Sequence, residues 1–124
     1  MKTGIALAAL IFALVTPAAH ADFYEIFHMK LKDGCSPAEL QAVGDKLTKK
    51  FGADVYSVEI ATNQHGATDT SVLWIGRSPG SRAWGGANDT WAAELSSDGE
   101  SAKLSAELSA CASNVTSGTW RSVR

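Results

Sequence analysis

The sequence predicts an α+β fold in which an antiparallel four-stranded sheet carries two helices on one face, the second broken near 97–99. Three observations carry that prediction. Segments with period-two apolar patterning mark strands, two stretches with apolar residues three and four apart mark helices, and Gly, Pro and Asn clusters separate them. Read in order, the elements run strand, helix, strand, strand, helix, strand.

The first 21 residues stand outside this scheme. Lys2 begins a short positive region, Ile5 to Val15 is an apolar run, and Ala19-His20-Ala21 is a small-x-small cleavage pattern. The apolar run is too short for a membrane span. The expectation is a bacterial-type signal peptide cleaved after Ala21, a periplasmic or secreted protein with no membrane attachment, and one domain over 22–124. The chain has 11 basic and 13 acidic residues for a net charge of −2, scattered throughout. That distribution offers no footprint for nucleic acid or an anionic membrane.

Asp22 to Lys32 alternates as a strand, with Phe23, Glu25, Phe27, Met29 and Leu31 on one face and Tyr24, Ile26, His28 and Lys30 on the other. Large apolar groups on both faces imply that both are covered. Lys32-Asp33-Gly34-Cys35 is a turn, and Ser36 opens a helix with Pro37 at its first position and Glu39 completing a capping box. Leu40, Val43, Leu47 and Phe51 form its apolar stripe against polar Gln41, Asp45, Lys46 and Lys49, and Gly52 ends it.

Val55 to Thr62 is the second strand, with Tyr56, Val58 and Ile60 on one face. Asn63 to Asp69 is a hairpin connection, and Thr70 to Arg77 is the third strand. Ser78-Pro79-Gly80 breaks it. The second helix starts near Ser81 with the stripe Trp84, Ala87, Trp91 and Leu95. Gly85 and Gly86 each cost roughly 1 kcal/mol relative to Ala, which predicts a close approach there. Ser97-Asp98-Gly99-Glu100 repeats the capping-box pattern, so the helix should break and restart with Leu104, Leu108 and Cys111 inward. Asn114 to Val123 is a final edge-like strand.

This order is the split β-α-β arrangement of the ferredoxin-like fold, with strand order 4-1-3-2. The first helix then starts and the second ends at the same edge of the sheet. Cys35 and Cys111 should therefore meet as a disulfide, as an oxidising compartment favours. The bridge closes a loop of about 77 residues, for which chain entropy gives at most ~4 to 5 kcal/mol.

Several motifs fail on mechanism. Gly76-Arg77-Ser78-Pro79-Gly80 matches a nucleophile elbow, but Pro79 has no N–H for the oxyanion hole and no His follows Ser78. His28 and His65 lack helical spacing and a third ligand, so no metal is expected. Asn88-Asp89-Thr90 and Asn114-Val115-Thr116 are glycosylation sequons that a bacterial protein leaves unmodified.

The element order, the strand end Leu73-Trp74-Ile75-Gly76-Arg77-Ser78 and the following Ala83-Trp84 together resemble the dimeric α/β-barrel superfamily. That superfamily includes antibiotic-monooxygenase-like, EthD-like, NIPSNAP-like and stress-responsive barrel proteins. The chain also resembles exported bacterial members with one cysteine after the first strand and another before the last. The resemblance spans the whole chain after the leader as a fold pattern, without a diagnostic catalytic motif. It implies a homodimer with facing sheets and a small apolar ligand held between sheet and helices. Cofactor-free oxygenases of this type use Trp, Asn and Arg side chains. Trp74, Asn88 and Arg77 are of those types here but match no motif positions, so no catalytic role carries over.

Three functional readings follow. The leading one is a non-enzymatic exported homodimer, without a cofactor, that binds a small apolar molecule in a cleft lined by Met29, Trp74, Trp84 and Trp91. The second is a cofactor-independent monooxygenase or isomerase using His28, Arg77 or Asn88, at least two of which must converge on one pocket. The third is a structural or partner-binding module with a filled core and an apolar dimer face.

Overall fold

A computed structural model describes residues 21–63 and 71–123. Residues 1–20 of the leader lie outside the described residues, as do residues 64–70 of the hairpin connection with His65. The elements are β1 (Phe23–Leu31), α1 (Pro37–Phe51), β2 (Ser57–Thr62), β3 (Ser71–Ser78), α2 (Ser81–Leu95), α3 (Glu100–Cys111) and β4 (Ala112–Arg121). The strands form one antiparallel sheet in the order β2-β3-β1-β4. This is the ferredoxin-like architecture, with the predicted strand order and the second helix resolved into two.

Strand alternation sorts the sheet into two faces. Phe27 pairs with Trp74 and Met29 with Val72, and Ile60 pairs with Trp74 from the other side. These residues belong to the core beneath the helices, where Leu40, Val43, Leu47, Ala87 and Leu104 complete the packing. On the opposite face Ile26 pairs with Ile75, and His28 with Leu73 and Thr116. No described element covers this second face. A bulge between His28 and Met29 sets Val115 outside the β1–β4 register, and Val115 is 66% exposed.

The capping box forms at α1: Glu39 N–H donates to Ser36 Oγ at 3.2 Å, and Ser36 N–H to Glu39 Oε2 at 2.7 Å. Gly52 ends the helix at φ 90°, a conformation that favours glycine. Gln41, expected on the solvent face, instead dresses the outer edge of β2. Its side chain accepts from Ile60 N–H at 2.8 Å and donates to the Val58 carbonyl at 3.1 Å, while Thr48 Oγ1 accepts from Val58 N–H at 3.0 Å. One sheet edge is thereby closed to further strand pairing.

The break between α2 and α3 falls at residues 96–99, but its chemistry differs from the expectation. The Ser97 hydroxyl donates to the Glu94 carbonyl at 3.4 Å and caps nothing, because the residue before α3 is Gly99. Glu94 is the organising group. One of its carboxylate oxygens accepts from both the N–H and the hydroxyl of Ser101, at 3.1 and 2.6 Å, and lies 2.7 Å from Lys50 Nζ at the end of α1. Two further expectations are corrected. Leu95, the last residue of α2, is 42% exposed and does not join the inward stripe. Nothing lies within 4 Å of where a Cβ on Gly85 or Gly86 would stand, so no close approach explains those glycines. Cys35 and Cys111 are disulfide-bonded with their Cα atoms 5.2 Å apart, and the Cys111 carbonyl accepts from Lys32 N–H beside the bridge.

Candidate functional site

Between the sheet and the helices lies a cavity of about 280 Å³. Its floor comes from alternate residues of β1 and β3: Phe27, Met29 and Trp74. Its roof is the inner face of α2, with Trp84, Ala87 and Trp91, and Leu47 and Phe51 of α1 and Leu108 of α3 form the sides. The spacing 84, 87, 91 places those three groups on one helical face. Trp74 is 2% exposed and belongs to the floor; Asn88 and Asn114 are exposed residues of the lining and form the rim.

A chain of hydrogen bonds crosses the cavity wall. Trp74 Nε1–H donates to Tyr56 Oη at 3.3 Å, Tyr56 Oη–H donates to Glu25 Oε2 at 3.3 Å, and Trp84 Nε1–H donates to the same Oε2 at 3.0 Å. Phe51 meets the Tyr56 ring edge-on with centroids 6.1 Å apart, and Phe23 lies against Trp84 at 4.9 Å. Burial, reinforced by the neighbouring Glu25 carboxylate, pushes the Tyr56 phenol well above its ordinary pKa, so it stays a donor. Gly76 permits this arrangement, because a Cβ there would overlap the phenol ring.

Sequence reasoning passed over Glu25 and Tyr56. The signal for Glu25 was present: it is the one charged residue among Phe23, Phe27, Met29 and Leu31 on the inward face of β1. Tyr56 carried none, because its place beside Glu25 depends on how β2 and β3 register with β1.

The structure places Met29, Trp74, Trp84 and Trp91 around one cavity and adds Asn88 at its rim. It does not bring His28 or Arg77 there. His28 is exposed on the open sheet face. Arg77 is on that same face about four residues along the sheet, some 13 Å by strand rise, beside a separate hollow with Tyr24, Glu59 and Ile75. Arg77 is committed to a 2.9 Å ion pair with the buried Asp22. The sheet therefore divides these two from Asn88. Among the described residues, no group of three or more His, Cys, Asp or Glu side chains is placed to hold a metal ion, and no helix is long and apolar enough to cross a membrane.

No family model matches the chain, and no curated protein does. Among solved structures it is similar to SnoaB, a cofactor-independent oxygenase from Streptomyces nogalater, with 13% identity over 84% of this chain and 95% of that one and a TM-score of 0.54. A chlorite dismutase-like protein is also similar, with 14% identity, a TM-score of 0.44 and coverage of 80% of this chain and 42% of that one. At these identities what is shared with SnoaB is the fold.

Proposed function

We propose that this chain is an exported, homodimeric member of the dimeric α/β-barrel superfamily that binds a small, largely apolar molecule between its sheet and helices. The observation that carries the reading is the cavity of about 280 Å³ walled by Phe27, Met29 and three tryptophans. Roughly 150 Å³ of apolar space admits benzene, so this volume suits a compound of one or two rings. A concave space of this size, walled by aromatic and aliphatic side chains with a few polar groups, has the make-up of small-molecule sites.

Export draws on the signal-peptide pattern of the first 21 residues and on the Cys35–Cys111 disulfide. Dimerisation draws on the open sheet face, where Ile26, Leu73 and Ile75 are only half-buried by their own chain, and on the fold shared with SnoaB. Sedimentation should give twice the chain mass, and Ile75→Lys should halve it. A monomeric wild type would remove this part of the reading.

Ligand binding is tested by titrating the protein with a panel of hydrophobic metabolites while following tryptophan fluorescence. Saturable quenching by at least one compound is expected, and a flat response across the panel counts against a ligand. A second reading, cofactor-independent oxygenation, is favoured by the fold of SnoaB and by the Tyr56–Glu25 pair in the wall. It now leans on Glu25, Tyr56 and Asn88 instead of His28 and Arg77. Oxygen uptake on adding a quenching ligand would establish it, and binding without uptake would set it aside.

A further inference from the structure

Among the described residues, one charged group lines the cavity, and none stands as its counter-ion. Glu25 takes part in none of the ion pairs of the described residues, which join Lys46 to Glu107, Lys50 to Glu94 and Glu100, and Arg77 to Asp22. The other polar residues of the lining are Tyr56, Asn88, Ser105 and Asn114, none of them basic. Both donors that reach the carboxylate, Tyr56 Oη–H and Trp84 Nε1–H, end on Oε2, and no hydrogen bond among the described residues ends on Oε1. Oε1 is left without a hydrogen-bond donor among the described residues.

The other walls of the cavity point the same way. Phe27, Trp74, Trp84 and Trp91 present aromatic rings, whose faces carry negative electrostatic potential and attract cations. A carboxylate facing a space of low polarity gains most from a partner of opposite charge, less from a neutral hydroxyl, and is repelled by an anion. Resting on the ligand-cavity reading above, we infer that the cavity takes a small organic cation: an apolar body with a protonated amine head bonded to Glu25 Oε1. The aromatic walls then pack against the apolar body.

The test compares three molecules of similar shape at neutral pH by calorimetry and tryptophan fluorescence: phenethylamine, phenethyl alcohol and phenylacetate, with ethylbenzene as the head-free control. Phenethylamine should bind about tenfold or more tightly than the alcohol, and phenylacetate most weakly, as a charge-assisted hydrogen bond predicts. In Glu25→Gln, which keeps an acceptor for Tyr56 and Trp84, the amine should lose that advantage and bind no more tightly than the alcohol. Equal binding of amine and alcohol to the wild type overturns the inference, as does an undiminished gap in Glu25→Gln. The wild-type comparison stands even if the variant fails to fold. Binding of ethylbenzene with no preference for the amine overturns the cation inference and leaves the apolar cavity intact. Failure of all four compounds to bind removes both.

Discussion

Trp84 on α2 donates its indole N–H to Glu25 on β1 across 3.0 Å, and that bond ties the roof of the cavity to its floor. It joins the one charged side chain on the inward face of β1 to the N-terminal half of α2, whose other polar tie, the Glu94–Lys50 ion pair, lies at its far end. Replacing the indole with a phenyl ring keeps most of the packing against Phe23 and removes the donor. Trp84→Phe should therefore lose about 1.5 to 3 kcal/mol in chemical denaturation, the range for a hydrogen bond to a charged group. Glu25→Gln, which keeps an acceptor, should lose less. Equal losses would mean that the bond is incidental to the packing.

The two termini of the helical layer are fastened by Cys35–Cys111, which closes most of the domain into one loop with a sequence separation of 76. The double variant Cys35→Ser/Cys111→Ser should lose about 2 to 5 kcal/mol against the oxidised wild type. Thiol titration of the unreduced protein should find no free thiol. Two free thiols per chain would contradict the bridge.

Glycine substitutions should have opposite signs at two sites. Gly76→Ala drives a methyl group into the Tyr56 ring and should cost about 1 to 3 kcal/mol by overpacking. Gly86→Ala sits in an exposed helical position with open space around it and should gain about 0.5 to 1 kcal/mol. Thermal unfolding of both variants distinguishes a glycine required by packing from one that is not.

Glu94 should contribute to the acid limb of stability. Hydrogen bonding from Lys50, then from Ser101, lowers its pKa from 4.5 to about 2. A carboxylate held below its unfolded value stabilises the fold fully above about pH 4.5 and loses that contribution as pH falls toward 2. The melting temperature should drop across that window, and Glu94→Gln should flatten the drop while lowering the plateau at neutral pH. An unchanged acid profile in the variant would assign acid unfolding to another group.

Much of the fold was legible because local signals agreed with one another: Ser36, Pro37 and Glu39 at one helix start, Gly52 at its end, and alternation along β1. The cysteine pairing followed from topology. Legibility ended where two distant segments decide a residue's role. Gln41 reads as a solvent-face residue until β2 lies beside it, and Ser97 reads as a cap until Glu94 reaches forward to Ser101. At the site the aromatic density was visible, but its polar centre was not. Tyr56 reaches Glu25 only because the strand register brings them together across Gly76, and that register is absent from any local pattern. His28 and Arg77 were attractive as residue types, yet strand parity sends both to the far side of the sheet.

The central claim is that the space beneath α2 is a binding site. The most direct measurement is a tryptophan-fluorescence titration of wild type and Ala87→Phe side by side, using a compound that quenches the wild type. Ala87 is buried in the cavity roof, and a phenyl group there takes up the space the ligand needs. Saturable quenching in the wild type, abolished in a variant that still folds, is the predicted result. Quenching of the same midpoint and amplitude in both proteins would contradict it and place the ligand elsewhere.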